Sequence, residues 1–222
     1  MIPPRTFALG CALALSTTSL ALPLAAPQDS SSSNASCYEI TVDDLTAIAP
    51  ETASCPGTGD FATECADATR AAPAISASFQ KYDISSRGEQ AALIAIMLYE
   101  SGNFKYNHNH FPAPGRAGQG TRNMQMAPFN DKYATDLFGA DKAAQAQAEG
   151  GDDAVLALVQ GDEESFASAA WFVSTQCDEG IKTGLASGSM VGWDAYLTTC
   201  VGTTHTEDRD TAWTAAKQVL GA

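Results

Sequence analysis

The stretch that most limits what this chain can become runs from Ser86 to Gly102, S-R-G-E-Q-A-A-L-I-A-I-M-L-Y-E-S-G. Ser86 and Glu89 form a capping-box start: the hydroxyl can accept the Glu89 backbone N–H while the carboxylate reaches back to the start of the helix. Gly102 is placed to end the helix in the left-handed conformation that closes many helices. The spacing therefore predicts a helix over Gly88–Glu100. Along it Leu93, Ile96, Met97 and Glu100 fall at i, i+3, i+4 and i+7, which puts a carboxylate on the apolar stripe.

A carboxylate in that position needs a reason. Desolvation by the stripe and the negative end of the helix dipole both disfavour its charge. The expectation is a carboxylic acid that keeps its proton, as general-acid cleavage of an ether-like bond requires. The plainer reading is a glutamate emerging at a frayed helix end, or one paired with Arg87, Arg116 or Arg122.

Polar groups crowd the next segment of the chain. Tyr106, Asn107, His108, Asn109 and His110 come directly after the helix end, and amides and aromatic rings are common means of holding N-acetyl groups and sugar faces. The alternative is an Asn-rich turn whose side chains cap their own backbone. From Phe111 to Pro128 the chain is broken by Pro112, Pro114, Gly115, Gly118 and Gly120, which predicts an extended loop with a small hairpin.

His108-Asn109-His110 also raises a metal site and, by letters alone, an H-N-H nuclease. A metal would need a third ligand such as His205 and a supporting shell, so no metal and no cofactor is expected. The nuclease reading fails on charge. A formal net charge of −14 with no basic stripe repels phosphate backbones, so nucleic acid is not an expected partner. The same charge gives no long-range attraction to anionic surfaces and predicts activity at acidic pH.

The pattern A-L-I-A-I-M-L-Y-E-S-G, with G-x-x-x-x-N-M-Q-M-x-P further along, resembles the glutamate helix and the G-L-M-Q segment of goose-type lysozymes and soluble lytic transglycosylases. The longer run E-S-G-N-F-K-Y-N-H-N-H-F-P, continued by G-Q-G-T-R-N-M-Q, is similar to secreted fungal muramidases, those classed as glycoside hydrolase family 184. The resemblance implies a lysozyme-like fold in which Glu100 is the catalytic acid and Ser101 steadies it. It also implies that Met124 and Gln125 wall the sugar cleft, while Asn123 stands where the family has Leu. Goose-type enzymes are expected to use one or two Asp residues after the Glu. No acidic residue occurs between Ser101 and Asn130, so a two-carboxylate scheme would need Asp131, Asp136 or a more distant group.

Organisation around this centre is simple. Residues 1–21 read as a secretory signal peptide: Arg5, an apolar run, then small residues around Ser19-Leu20-Ala21. Residues 22–36 read as a flexible linker or pro-segment ending in the glycosylation sequon at Asn34. Residues 37–222 form one expected catalytic domain outside the cell, with no membrane partner and a monomeric state. Five cysteines remain after signal removal. Cys55–Cys65 and Cys177–Cys200 are the favoured pairs, with Cys37 left over, and Cys37 in place of Cys55 as the alternative.

The remaining periodicity predicts a mainly α, disulfide-stabilised fold with a small β-hairpin or irregular loop beside the glutamate helix. Further helices are expected at Val42–Ile48, Thr63–Tyr82, Lys132–Phe138, Lys142–Glu149, Asp153–Gln160, Glu163–Cys177, Trp193–Cys200 and Arg209–Leu220. In Glu163–Cys177 the residues Phe166, Ala169, Ala170, Val173 and Cys177 make a core stripe with Trp171 and Phe172 beside it, which suits a central helix.

The expected function is a secreted muramidase cleaving the β-1,4 bond between N-acetylmuramic acid and N-acetylglucosamine of bacterial peptidoglycan. Glu100 is its acid, and Ser101, Tyr106, Asn107, Asn109, Asn123, Met124 and Gln125 are its candidate substrate-binding residues. The alternatives are a lytic transglycosylase giving anhydro products and a non-catalytic glycan-binding protein on the same scaffold.

Overall fold

Helix α3, Arg87–Glu100, begins where the capping box places it: Ser86 Oγ accepts the Glu89 N–H at 3.1 Å and donates to Glu89 Oε2 at 2.8 Å. Its middle is not a stripe, however. Every residue from Gln90 to Leu98 is buried. A helix apolar on all sides belongs in the centre of a domain, and here α9 (Glu207–Leu220), α7 (Glu179–Ala186) and α6 (Asp162–Gln176) pack around it.

The structure, a computed structural model, describes residues 39–222. The expected signal peptide, the linker with its sequon Asn34, and Cys37 lie outside the described residues. Among the described residues the fold is helical and contains no extended strand. Helix α1, Val42–Ile48, carries a full capping box between Thr41 and Asp44. Helix α2, Ala68–Lys81, starts later than periodicity predicts. A 3-10 turn at Ala62–Glu64 and the Cys65 crosslink take up the chain before Asp67 caps it. Helix α4, Ala127–Phe138, starts earlier because Pro128 occupies its first turn, where a missing N–H costs nothing.

Helix α5, Ala140–Ala157, is two helices joined at a kink. Gly150 and Gly151 are non-helical and Gly151 has φ +66°, which keeps the two expected segments distinct. Two glycines in E-G-I-K-T-G-L-A hid α7 from sequence reading. Helix α8, Met190–Ala195, runs into a π-turn at Tyr196–Val201, where one continuous helix was expected. The glycines explain the close crossing of α7 and α8: a Cβ on Gly192 would lie 2.1 Å from the Gly184 carbonyl oxygen. Only bare backbone lets the two helices approach so closely.

Two hydrophobic clusters share α6. Phe166, Ala169, Ala170 and Val173 face the larger one with α1, α2, α3 and α9, where Trp193 and Trp213 stack at 5.6 Å. Trp171 and Phe172 face the smaller one, with Tyr133 of α4 and Val155 and Leu156 of α5. Burying the two large aromatics alone is worth several kcal/mol at about 25 cal/mol per Å². The disulfides Cys55–Cys65 and Cys177–Cys200 are both formed, as expected.

Of the two forms expected for the segment between α3 and α4, a small hairpin or an irregular loop, the chain takes the second, with isolated bridges His108–Gly120 and Gly120–Gln125. Paired strands need alternating backbone donors, and Pro112 and Pro114 have none.

Candidate active site

Glu100 is the last residue of α3, and the chain leaves it through a left-handed run: Gly102 at φ +59°, Asn103 at +59° and Phe104 at +64°. A buried phenylalanine adopts that backbone only when its surroundings hold it there. Ser101 Oγ does part of this, donating to the Met97 carbonyl at 2.6 Å and accepting the Phe104 N–H at 2.9 Å. Backbone bonds from Asn103 to Leu98 and from Tyr106 to Ser101 add to this, and so does Arg122. Its guanidinium donates to the carbonyls of Phe104 (2.8 Å), Tyr106 (3.0 Å) and Glu64 (2.7 Å). Burial pushes Arg122 down to about 10, with Asp162 acting in the other direction, so it stays charged at any working pH.

The turn holds Glu100 at one end of an open hollow of about 250 Å³ where the two clusters meet. Ile96 and Glu100 come from α3, and Asn123 to Met126 from the loop. Phe129 and Phe172 come from α4 and α6, Tyr196, Val201, Gly202 and Thr203 from the π-turn and its exit, and Arg209 from α9. Its size sits just below the usual ligand-pocket range of about 300–1,000 Å³.

Arg209 is the residue that sequence reading missed. Its Nη1 donates to Glu100 Oε1 at 2.5 Å, its Nη2 to Thr203 Oγ1 at 3.0 Å, and its guanidinium lies 4.1 Å from the centre of the Tyr99 ring. The resting Glu100 is therefore ion-paired, and not with Arg87, Arg116 or Arg122. Among the described residues lining the hollow, Glu100 is the sole carboxylate and Arg209 the sole cation. Tyr196 lines the same hollow: burial pushes its hydroxyl up strongly and the charge of Glu100 adds to this, so the phenol keeps its proton.

Of the residues singled out from sequence, Asn123, Met124 and Gln125 share the hollow with Glu100. Gln125 Nε2 donates to Asn130 Oδ1 at 2.7 Å, and Asn123 Oδ1 accepts from Thr121 and from Ser168, both at 2.8 Å. These bonds fix the amides that face the hollow. Ser101, Tyr106, Asn107 and Asn109 do not line it. Ser101 has no exposed surface and pins the turn, where it was expected to steady the Glu100 side chain. Asn107 exchanges bonds with Gln160, and Asn109 Oδ1 accepts the Arg116 N–H at 3.1 Å. Asn109 is the self-capping loop amide of the alternative reading, whereas Asn107 ties the loop to Gln160, 53 residues on. Tyr106 sits in a separate ring cluster with Phe61, His110 and Phe111.

Each histidine has its own carboxylate: His108 lies 3.6 Å from Asp153, His110 lies 2.7 Å from Glu64, and His205 bridges Asp194 and Asp210. Among the described residues no group of three or more His, Cys, Asp or Glu side chains is set to hold a metal ion. Asp136, one candidate second carboxylate, accepts the Trp171 indole N–H at 2.8 Å; neither it nor Asp131 lines the hollow. Among the described residues no helix is long and apolar enough to cross a membrane.

Comparison with known proteins gives one partial likeness. The chain is 41% identical over 143 residues to a bifunctional dioxygenase–epoxy alcohol synthase of Fusarium oxysporum (strain Fo5176). The match takes in 62% of this chain but spans only 11% of that enzyme's length, so the named activities are those of a far longer protein. No family model matches the chain, and no solved structure does.

Proposed function

We propose that this chain is a secreted muramidase on a lysozyme-like helical scaffold, cleaving the β-1,4 bond between N-acetylmuramic acid and N-acetylglucosamine, with Glu100 as general acid. The observation that carries this reading is convergence. Glu100 and the Asn123–Met124–Gln125 segment are far apart in sequence yet wall one hollow, with Glu100 as the sole carboxylate among its described lining residues. Protonated Glu100 gives its proton to the glycosidic oxygen as the C–O bond breaks, and Gln125 and Asn123 orient the sugar by its amide and hydroxyl groups. With no second carboxylate at hand, the electron-poor anomeric carbon is met by the substrate's own N-acetyl oxygen or 6-hydroxyl, or by water. Water leaves a reducing end and the 6-hydroxyl leaves an anhydro sugar; either returns one proton to Glu100.

The test is Glu100→Gln with product analysis by mass spectrometry on purified peptidoglycan. The variant is expected to release no fragments; wild-type-like release would remove Glu100 from the reaction. From sequence alone, a change that keeps the side-chain shape is expected to cost little stability. The ion pair alters that expectation, because Gln leaves the buried Arg209 without its counter-charge at a cost of about 1–3 kcal/mol. Folding of the variant therefore has to be measured beside its activity.

The same ion pair favours a second reading, a non-catalytic glycan-binding protein whose glutamate is locked in a structural bridge. Binding of glycan strands with no released reducing ends or anhydro products from the wild type would select it.

A further inference from the structure

Arg209 is more than nine-tenths buried, yet its bonds are incomplete. Nη1 and Nη2 are taken by Glu100 and Thr203, while Nε is buried with no hydrogen-bond partner. A buried charged donor left unpaired is costly, and such orphans in folded proteins call for an explanation such as a missing ligand. The Thr206 hydroxyl, one turn before Arg209, is buried and unpaired as well. The setting makes the cation more telling. In a chain of net charge −14, the one cation among the described residues lining the hollow is placed against the one carboxylate there. Glu100 holds only one prong of a planar fork that matches a carboxylate with two parallel bonds.

We propose that Arg209 is a specificity-determining residue of this hollow, receiving a carboxylate carried by the saccharide itself, such as the lactyl carboxylate of a muramic acid unit, in exchange for Glu100. The inference rests on reading the hollow as a glycoside-cleaving site. The exchange couples recognition to chemistry. While Arg209 holds Glu100, the acid lacks the proton it must deliver. When a substrate carboxylate takes over the guanidinium, Glu100 is left in a hollow lined by Ile96, Phe172 and Tyr196 with no cation. It then takes up one proton from solvent, and that proton passes to the leaving oxygen. A neutral saccharide brings no anion to displace Glu100 and leaves the pair closed.

The test compares native glycan strands with strands whose muramic carboxylates have been reduced to alcohols, using the wild type, Arg209→Gln and Arg209→Lys. The wild type is expected to lose about tenfold or more in kcat/KM on the reduced strands, the scale of one charge-assisted hydrogen bond. Arg209→Gln is expected to lose the preference and cleave both substrates equally, and Arg209→Lys to keep part of it. Equal wild-type cleavage of both strands overturns the inference while leaving the muramidase reading intact, and it does so whether or not the variants fold. If the wild type cleaves neither, that reading fails and binding decides. Calorimetric titration should then show about tenfold tighter binding of a muramic-acid disaccharide than of di-N-acetylchitobiose, lost in Arg209→Gln; equal affinities overturn the proposal.

Discussion

Arg122 Nη1 donates to the carbonyl of Phe104 at 2.8 Å, from a side chain with no exposed surface to a residue held at φ +64°. The bond joins the loop that supplies Asn123 and Gln125 to the turn that positions Glu100. Arg122→Met would leave the carbonyls of Phe104, Tyr106 and Glu64 short of a donor, a loss of about 3 kcal/mol. At roughly 2–4 °C per kcal/mol for a domain of this size, the melting temperature should fall by about 6–12 °C. Arg122→Lys should recover little, because one ammonium cannot span three acceptors. A melt of the Met variant within about 2 °C of wild type, less than a single kcal/mol would produce, would contradict this account.

Ser101 and Gly102 make a second, local prediction. Ser101→Ala removes both the bond to the Met97 carbonyl and the acceptor for the Phe104 N–H, at about 1–2 kcal/mol. Gly102→Ala forces an L residue to φ +59° and brings its Cβ to 3.3 Å from the Tyr106 ring, at about 1 kcal/mol or more. Urea denaturation of the two variants separates loss of the hydroxyl from loss of backbone freedom.

The stability of this fold should decline as pH rises past neutrality. Hydrogen bonds to Asp210 and then Asp194 hold His205 above its ordinary value, near 6.5 for a free imidazole. A group raised on folding contributes fully below its unfolded value and loses that contribution as pH climbs through the folded one. Glu89 acts in the same sense from a lower starting point, since burial pushes its carboxyl up. The urea midpoint should therefore be higher at about pH 6 than at about pH 8.5, and Asp194→Asn should shrink the difference. Equal midpoints, or an unchanged difference in the variant, would refute it.

Cys177–Cys200 ties the end of α6 to the π-turn beside the hollow, across a separation of 23 residues. Replacing both cysteines by serine should cost about 3 kcal/mol on the chain-entropy account. Because Tyr196, Val201 and Thr203 line the hollow, the double variant should also lose glycan affinity. Removing Cys55–Cys65 should cost comparable stability with less effect on binding. Calorimetry and glycan titration on the two variants would show whether these losses separate.

How far the sequence foretold this depends on where the determining contacts lie along the chain. Helices α1 and α3 were legible because their caps are local, and α6 because its apolar spacing is. Helix α7 was not, since its glycines serve a crossing with α8 that only three dimensions reveal. The Glu100 end of the hollow and its Asn123–Gln125 wall were legible from two spaced motifs. Arg209 was not, because it stands 109 residues from Glu100 in an acidic first turn, E-D-R-D, with nothing local to mark it as inward-facing. Ser101, Asn107 and Asn109 had the chemistry of sugar ligands, but their bonds are made within the protein, those of Ser101 and Asn109 to the turn and loop and those of Asn107 to Gln160.

Helix α6 has a side in each hydrophobic cluster, and that sharing limits how the molecule can come apart. Were α4 and α5 to peel away first, Trp171 and Phe172 would meet water on a helix still needed by the other half. Neither half has a quiet way to melt alone. The groove between them should disappear in the same cooperative step as the fold, not soften ahead of it.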